Sequence, residues 1–202
     1  MLNFSIALCV MIFSFFCGAI PTGYLLVKTI KHQDIRDIGS GNIGSTNVKR
    51  AAGTGASLVT QIIDIAKGVI PVAIALFLDR HFDFGEAKTT VLAATALASI
   101  LGHDFSPFLK FRGGKGVNTT IGAFLLLAPI SVIIGIAVYY ALRVVTPIVS
   151  IRSLALALAI PIMAGILRLP PAIIIASSIA ALLIIIRHVD NIRRLLQHNE
   201  LR

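Results

Sequence analysis

Long uncharged runs alternate with short, polar, basic loops along this chain. The first run, Leu2 to Val27, has no charged side chain in 26 residues, more than the roughly 20 needed to cross a hydrocarbon core of about 30 Å. Further runs cover Ala51–Leu78, interrupted only by Asp64 and Lys67, then Thr89–Gly102, Val117–Leu142, Ser153–Leu167 and Ala172–Ile186. None alternates with the period of a strand, so the pattern predicts an all-α, polytopic membrane bundle. About seven helical segments are expected, some short or re-entrant, in a single integral membrane domain over residues 1–202, with no internal repeat. Pro21 and Gly23 should bend the first segment near its end. Thr89–Gly102 is short for a span and needs support from its neighbours.

Charge sets the orientation. Of 18 Lys and Arg, five lie in Lys28–Arg50, three in His103–Gly116 and four in Arg187–Arg202. The positive-inside rule puts these three stretches on the cytoplasmic side, giving motif loops at 28–50, 103–118 and 187–202. Asp79–Lys88, with three acids and two bases, reads as exterior. Three crossings after Gly116 would strand the basic tail outside, so one run must enter and return. Val117–Val149, broken by Pro129 and Pro147, is the best candidate, and it brings Ser150 back beside the basic loops. The N-terminus is then outside and the C-terminus inside. Broken helices of this kind survive in a membrane only where they line a cavity or are buried in protein.

Composition agrees with a membrane protein. The chain is 56% hydrophobic and 13% charged, with a mean hydropathy of +0.91, far outside the soluble range. The first run is too long for a cleaved leader and lacks a cleavage site. The net charge of +9 does not indicate nucleic acid, because the bases sit in short loops without interleaved stacking aromatics. Cys9 and Cys17, eight apart in one apolar run, have no metal-ligand spacing and read as small fillers.

The chemistry concentrates in the loops. Gly39–Arg50, GSGNIGSTNVKR, offers glycines that let backbone N–H groups approach a ligand, neutral donors from Ser, Thr and Asn, and two cations. An ordinary solvated turn has the same composition. The second loop contains Gly113-Gly114-Lys115-Gly116, able to cradle phosphate. It is not a Walker A motif, since the required first glycine falls at Leu109 and no Ser or Thr follows Lys115. Asp64 and Lys67 fall on one helix face and could be a functional pair or a structural link. His103-Asp104 and His188 with Asp190 lack metal-site spacing. Ser40 and His188 could suggest a serine hydrolase, but no G-x-S-x-G elbow exists.

Three stretches, Gly39–Gly53 (GSGNIGSTNVKRAAG), Gly102–Thr119 (GHDFSPFLKFRGGKGVNT) and Arg187–Glu200 (RHVDNIRRLLQHNE), resemble the signature loops of the bacterial acyl-phosphate:glycerol-3-phosphate acyltransferases. The likeness extends to Gly18–Lys28, Asp34-Ile35-Arg36, Asp64 with Lys67-Gly68, and Val149-Ser150. The resemblance implies a multi-pass enzyme of the bacterial cytoplasmic (inner) membrane. It would move an acyl group from acyl phosphate to the 1-hydroxyl of glycerol 3-phosphate, releasing phosphate and lysophosphatidic acid, the first acylation of phospholipid synthesis. It further implies catalytic roles for His188, Ser40 and Asn191, and substrate binding by Arg50, Lys115, Ser150, Asn42 and Asn47, with amides of Gly113, Gly114 and Gly116 stabilising charge. Glu200 matches an acidic position with a structural part.

No metal or cofactor is expected, and no nucleic acid. The partners are the two substrates and the bilayer, with a monomer as the working expectation. Three positions depart from the family pattern: Ser45 stands for Ala or Thr, Pro147 for a basic residue, and His198 for Gly. His32–Asp37, HQDIRD, spells the H-x-x-x-x-D of acyltransferases that use acyl-CoA or acyl carrier protein, but without their other motifs, and is set aside. The proton from the attacking hydroxyl goes to His188 or to the donor phosphate; the scarcity of carboxylates to orient His188 tips the balance to the second. The competing class is a transporter or channel for an anionic metabolite, which should carry polar residues through to both faces.

Overall fold

The structure is a computed structural model that describes residues 2–200. Its nine α-helices are α1 (Leu2–Ala19), α2 (Thr22–Lys31), α3 (Ser45–Phe82), α4 (Lys88–Asp104), α5 (Val117–Leu125), α6 (Pro129–Ala141), α7 (Val149–Ile166), α8 (Pro171–Arg187) and α9 (Val189–Leu196). The fold is all-α, as the hydrophobic pattern requires, and the described residues contain no strand.

Among the described residues there are nine helices, because Pro21 and Pro129 cut two of the apolar runs and α9 continues the tail past His188. Pro21 separates α1 from α2, yet Phe4–Lys31 still forms one apolar stretch long enough to span. Pro129 starts α6 after a turn in which Leu127 and Ala128 donate to the Phe124 carbonyl. Ser45–Phe82, Gly85–Leu109 and Val149–Ile166 are also long and apolar enough to cross, while α8 and α9 meet at a 54° bend. The polar loops are shorter than the charge pattern suggested, since α2 continues to Lys31, α3 begins at Ser45 and α4 carries the chain to Asp104.

The bundle has a small buried core and an oily exterior. Val72, Ala96, Ile100, Phe124, Val132, Ile160 and Ala180 pack together at its centre. Ile62, Ile133, Ile162, Ile175 and Phe77 remain mostly exposed, a belt that suits lipid rather than water. With little net hydrophobic gain between helices inside a bilayer, close backbone contact does much of the holding. At the α1/α4 crossing, a Cβ on Gly18 would lie 1.9 Å from the Ser99 carbonyl oxygen, and one on Gly102 would lie 1.9 Å from that of Phe15. Ser14 Oγ donates to the Thr95 carbonyl at 2.7 Å in the same seam. The small residues of these runs serve helix packing here.

Within α3, Gly53 breaks the helix with φ 84° and ψ −179°, a region open essentially to glycine alone. A Cβ there would touch nothing within 4 Å, so the requirement is conformational. Ser57 Oγ donates across the kink to the Ser45 carbonyl at 2.8 Å. Gly53→Ala should therefore cost about 1–3 kcal/mol, seen as a lower unfolding midpoint in detergent; an unchanged midpoint would show that the kink tolerates a side chain.

Asp64 and Lys67 pair as their spacing predicts, at 2.9 Å and almost fully buried. Lys67 Nζ also donates to the Ile20 carbonyl at 3.0 Å, tying α3 to the broken end of α1. These contacts link two elements, and Asp64 also lines the cavity of the functional site.

Candidate functional site

A cavity of about 760 Å³ opens among α3, α5, α6, α7 and the α8/α9 bend, and residues of all three signature loops line it. Gly116 and Val117 line it where α5 begins, and Val149 and Ser150 where α7 begins. The run between them therefore leaves and returns to one place. With nine and thirteen residues, α5 and α6 each rise only about 14–20 Å, short of a full crossing.

Asn47 shapes the first loop. It is 1% exposed, its Oδ1 accepts the Ser40 N–H at 3.0 Å, and its Nδ2 donates to the carbonyls of Ile38 at 2.8 Å and Ile35 at 3.3 Å. Asn42 Oδ1 accepts the Gly44 N–H at 2.7 Å, a local turn. Both asparagines border the cavity, but their bonds organise backbone, so Asn47 in particular acts as a buttress more than as a ligand group. Upstream, Asp34 takes a two-pronged contact from Arg36, whose guanidinium lies 5.4 Å over the Tyr24 ring. Together they hold the loop so that Ser40 and Arg50 face the cavity.

The second loop divides. Gly113 and Gly114 do not reach the cavity; their N–H groups donate to the carbonyls of Asp104 and His103 at 3.2 and 3.0 Å. Their carbonyls accept Arg187 Nη2 and Nε, both at 2.9 Å, and a Cβ on Gly114 would strike the His103 ring at 2.0 Å. The expectation that these amides cradle an anion is corrected, since they are already engaged and the glycines are there for tight packing. Gly116 and Lys115 do line the cavity.

Around Lys115 the groups interlock. Lys115 Nζ donates to Asn191 Oδ1, Asn191 Nδ2 to Glu200 Oε1, and Ser150 Oγ to the same Glu200 oxygen at 3.0 Å. Arg194 Nε donates to Glu200 Oε2 at 2.8 Å. Burial pushes the Lys115 ammonium down to about 8, against the opposing pull of the Glu200 carboxylate. For Glu200, burial raises the carboxyl, but hydrogen bonds from Asn191, Arg194 and Ser150 win and hold it below its usual value. A lysine held near 8 by burial is still charged at neutral pH and has already lost part of its hydration before it meets an anion.

His188 occupies the bend between α8 and α9 and is 3% exposed. Its Nδ1 lies 2.8 Å from the Ile184 carbonyl, a contact that fixes the tautomer with the proton on Nδ1 and leaves Nε2 as an acceptor. Burial, then the Lys115 charge, lower its pKa to about 4. His188 is thus neutral at neutral pH and a weak base.

The sequence passed over several cavity residues: Gln61, Asn118, Tyr139, Tyr140, Arg143 and Arg152. Apart from Asn118 they lie in or beside apolar runs, where no local pattern singles them out, and Asn118 Nδ2 binds Ser45 Oγ at 3.2 Å. Pro147, standing where the resemblance expects a basic residue, has its carbonyl taken by Arg152. No group of three or more metal-ligating side chains occurs among the described residues.

These features define a class: an integral membrane helical protein with an interfacial cavity that sets cations and neutral donors opposite an apolar wall. The family described as glycerol-3-phosphate acyltransferase matches residues 8–198. A Clostridium acetobutylicum glycerol-3-phosphate acyltransferase is 51% identical over 93% of this chain and 94% of its own, and one from Syntrophotalea carbinolica is 42% identical over 93% and 92%. The chain belongs to the glycerol-3-phosphate acyltransferase family. Two crystal structures of PlsY (YgiH), an integral membrane glycerol 3-phosphate acyltransferase, superpose closely. The glycerol 3-phosphate form has a TM-score of 0.88 at 34% identity, the lysophosphatidic acid form 0.85 at 32%, each covering 97% of this chain and 94% of the other. Family membership removes the ground for the transporter alternative.

Proposed function

We propose that this enzyme transfers an acyl group from acyl phosphate to the 1-hydroxyl of glycerol 3-phosphate at the inner face of a bacterial cytoplasmic membrane, with its N-terminus outside and its three motif loops and C-terminus inside. The observation that carries this reading is the convergence of Ser40, Arg50, Lys115, Ser150, His188 and Asn191 on one cavity whose other wall is apolar, formed by Leu58, Ile65, Ile121, Ile136 and Leu156. The polar side fits two phosphorylated groups and the apolar side an acyl chain.

An acyl phosphate is a mixed anhydride, already activated, so transfer needs neither a covalent nucleophile nor a metal from the protein. Arg50 and Lys115 hold the phosphates, while Ser40, Ser150 and Asn191 orient the glycerol backbone. Alignment of two reactants is worth roughly 7–11 kcal/mol in favourable cases. The 1-hydroxyl oxygen attacks the acyl carbonyl, the bond from carbonyl carbon to phosphate oxygen breaks, and phosphate leaves as the ester forms. The hydroxyl proton passes to a non-bridging oxygen of that phosphate. His188, neutral and weakly basic, accepts a hydrogen bond at Nε2 from a hydroxyl of the glycerol backbone and so helps orient the acceptor.

Reconstituting the purified protein with acyl phosphate and glycerol 3-phosphate should give lysophosphatidate and an equal amount of phosphate; acyl-CoA serving equally well would overturn the donor assignment. His188→Gln should keep turnover within about tenfold, against the 10²–10⁴-fold that a general base contributes. The acid limb of its pH profile should stay where it lies in wild type, as it must if the donor phosphate is the base. Loss of that limb in the variant would identify His188 as the base.

A further inference from the structure

Arg152 is an unexplained cation in the cavity wall. It lies in the first turn of α7, is 7% exposed, and lines the cavity beside Ser150 and Ser153. No carboxylate pairs with it among the described residues. Glu200, the acid of this wall, is occupied by Ser150, Asn191 and Arg194. The guanidinium instead reaches back over its own N-terminal turn. Nη2 donates to the Pro147 carbonyl at 3.1 Å and Nε to the Ile148 carbonyl at 3.4 Å, with the carbon 4.8 Å over the Tyr139 ring.

A guanidinium carries five N–H donors in a rigid fork. Two are used here, and Nη1 makes no hydrogen bond among the described residues. A buried cation with carbonyl and aromatic neighbours but no anion is costly unless a ligand supplies one. The neighbours meanwhile fix the plane of the fork, so little further ordering is needed when an anion arrives.

We propose that Arg152 is a substrate-binding residue whose open guanidinium edge takes a phosphoryl oxygen of one of the two phosphorylated reactants. This rests on the proposed function only in supposing that the reactants carry phosphate. Either the donor's or the acceptor's phosphate offers the same chemistry, and the kinetics separate them. Arg152 then complements Lys115: a planar fork on α7 and a point charge on the second loop reach the same cavity from different walls.

The test compares wild type, Arg152→Gln and Arg152→Lys in nanodiscs. Calorimetry gives the Kd of inorganic phosphate, and kinetics give kcat and KM for each reactant. In Arg152→Gln the phosphate Kd should rise at least about tenfold, the loss of roughly 1.4 kcal/mol. KM should rise similarly for the reactant Arg152 holds and stay within about twofold for the other, with kcat changed less than about threefold. Arg152→Lys, which keeps the buried charge but not the fork, should fall between. A folded Arg152→Gln with phosphate Kd and both KM values within twofold of wild type overturns the assignment. Should that variant not fold, Arg152→Lys decides, and wild-type phosphate binding there overturns it as well. If acyl phosphate is not the donor, wild type shows no turnover with it, yet the phosphate-binding measurement still tests Arg152.

Discussion

Lys115→Met should lower kcat/KM by about 10²–10³, comparable to deleting one preorganised donor from a site where charge develops. Lys115 Nζ is the cation that meets Asn191 and, through it, Glu200 and Ser150, so its loss removes a positive charge from the cavity wall and loosens three neighbours together. The pH dependence provides an independent check. A lysine lowered to about 8 is protonated below that pH and neutral above it, so wild-type kcat/KM should fall as pH rises through about 8. Arg, whose pKa exceeds 12, does not lose its charge in that range. Lys115→Arg should therefore abolish the alkaline limb whatever activity it retains. An alkaline limb that persists unchanged in Lys115→Arg would assign it to another group.

Gly102→Leu should eliminate folded protein. The position has ordinary helical backbone, but the added Cβ would sit 1.9 Å from the Phe15 carbonyl oxygen and 2.9 Å from the Ala19 nitrogen. Both are main-chain atoms of α1, so no rotamer change relieves the clash and the helices must separate. Overpacking against movable side chains typically costs 1–3 kcal/mol, and more where nothing can yield. Separation would also break the Ser106 Oγ bond to the Ala19 carbonyl, 2.6 Å long, which carries the second loop. The expected result is little monodisperse protein on size-exclusion chromatography and no activity. Gly102→Ala places the same Cβ and should fail in the same direction; wild-type yield and unfolding midpoint for either variant would show that α1 and α4 can part without harm.

Much of this was legible in the residues. Charge clustering and proline positions anticipate the run from Val117 to Val149 that comes back to its starting place, because a membrane leaves few options for a broken apolar stretch. The i, i+3 spacing of Asp64 and Lys67 anticipates their pair. What the chain does not display is which glycines touch ligand and which touch protein. Gly113 and Gly114 look like a phosphate cradle in one dimension, but His103, Asp104 and Arg187 claim their amides and carbonyls in three. Asn47 likewise reads as a donor for substrate until its bonds to Ser40, Ile35 and Ile38 are seen. Arg152 was hidden for the opposite reason: a lone arginine at the start of an apolar run has no motif around it, and only burial without an acid partner makes it conspicuous.

The grip of Arg187 on the Gly113 and Gly114 carbonyls has a consequence for biogenesis. A ribosome delivers the second loop more than seventy residues before that arginine, so the loop waits in the membrane with those acceptors unclaimed by α8. Asn191 and Glu200 arrive later still. On the proposed reading, the cavity wall that Asn191 and Glu200 complete is assembled only once α8 and α9 have followed the second loop.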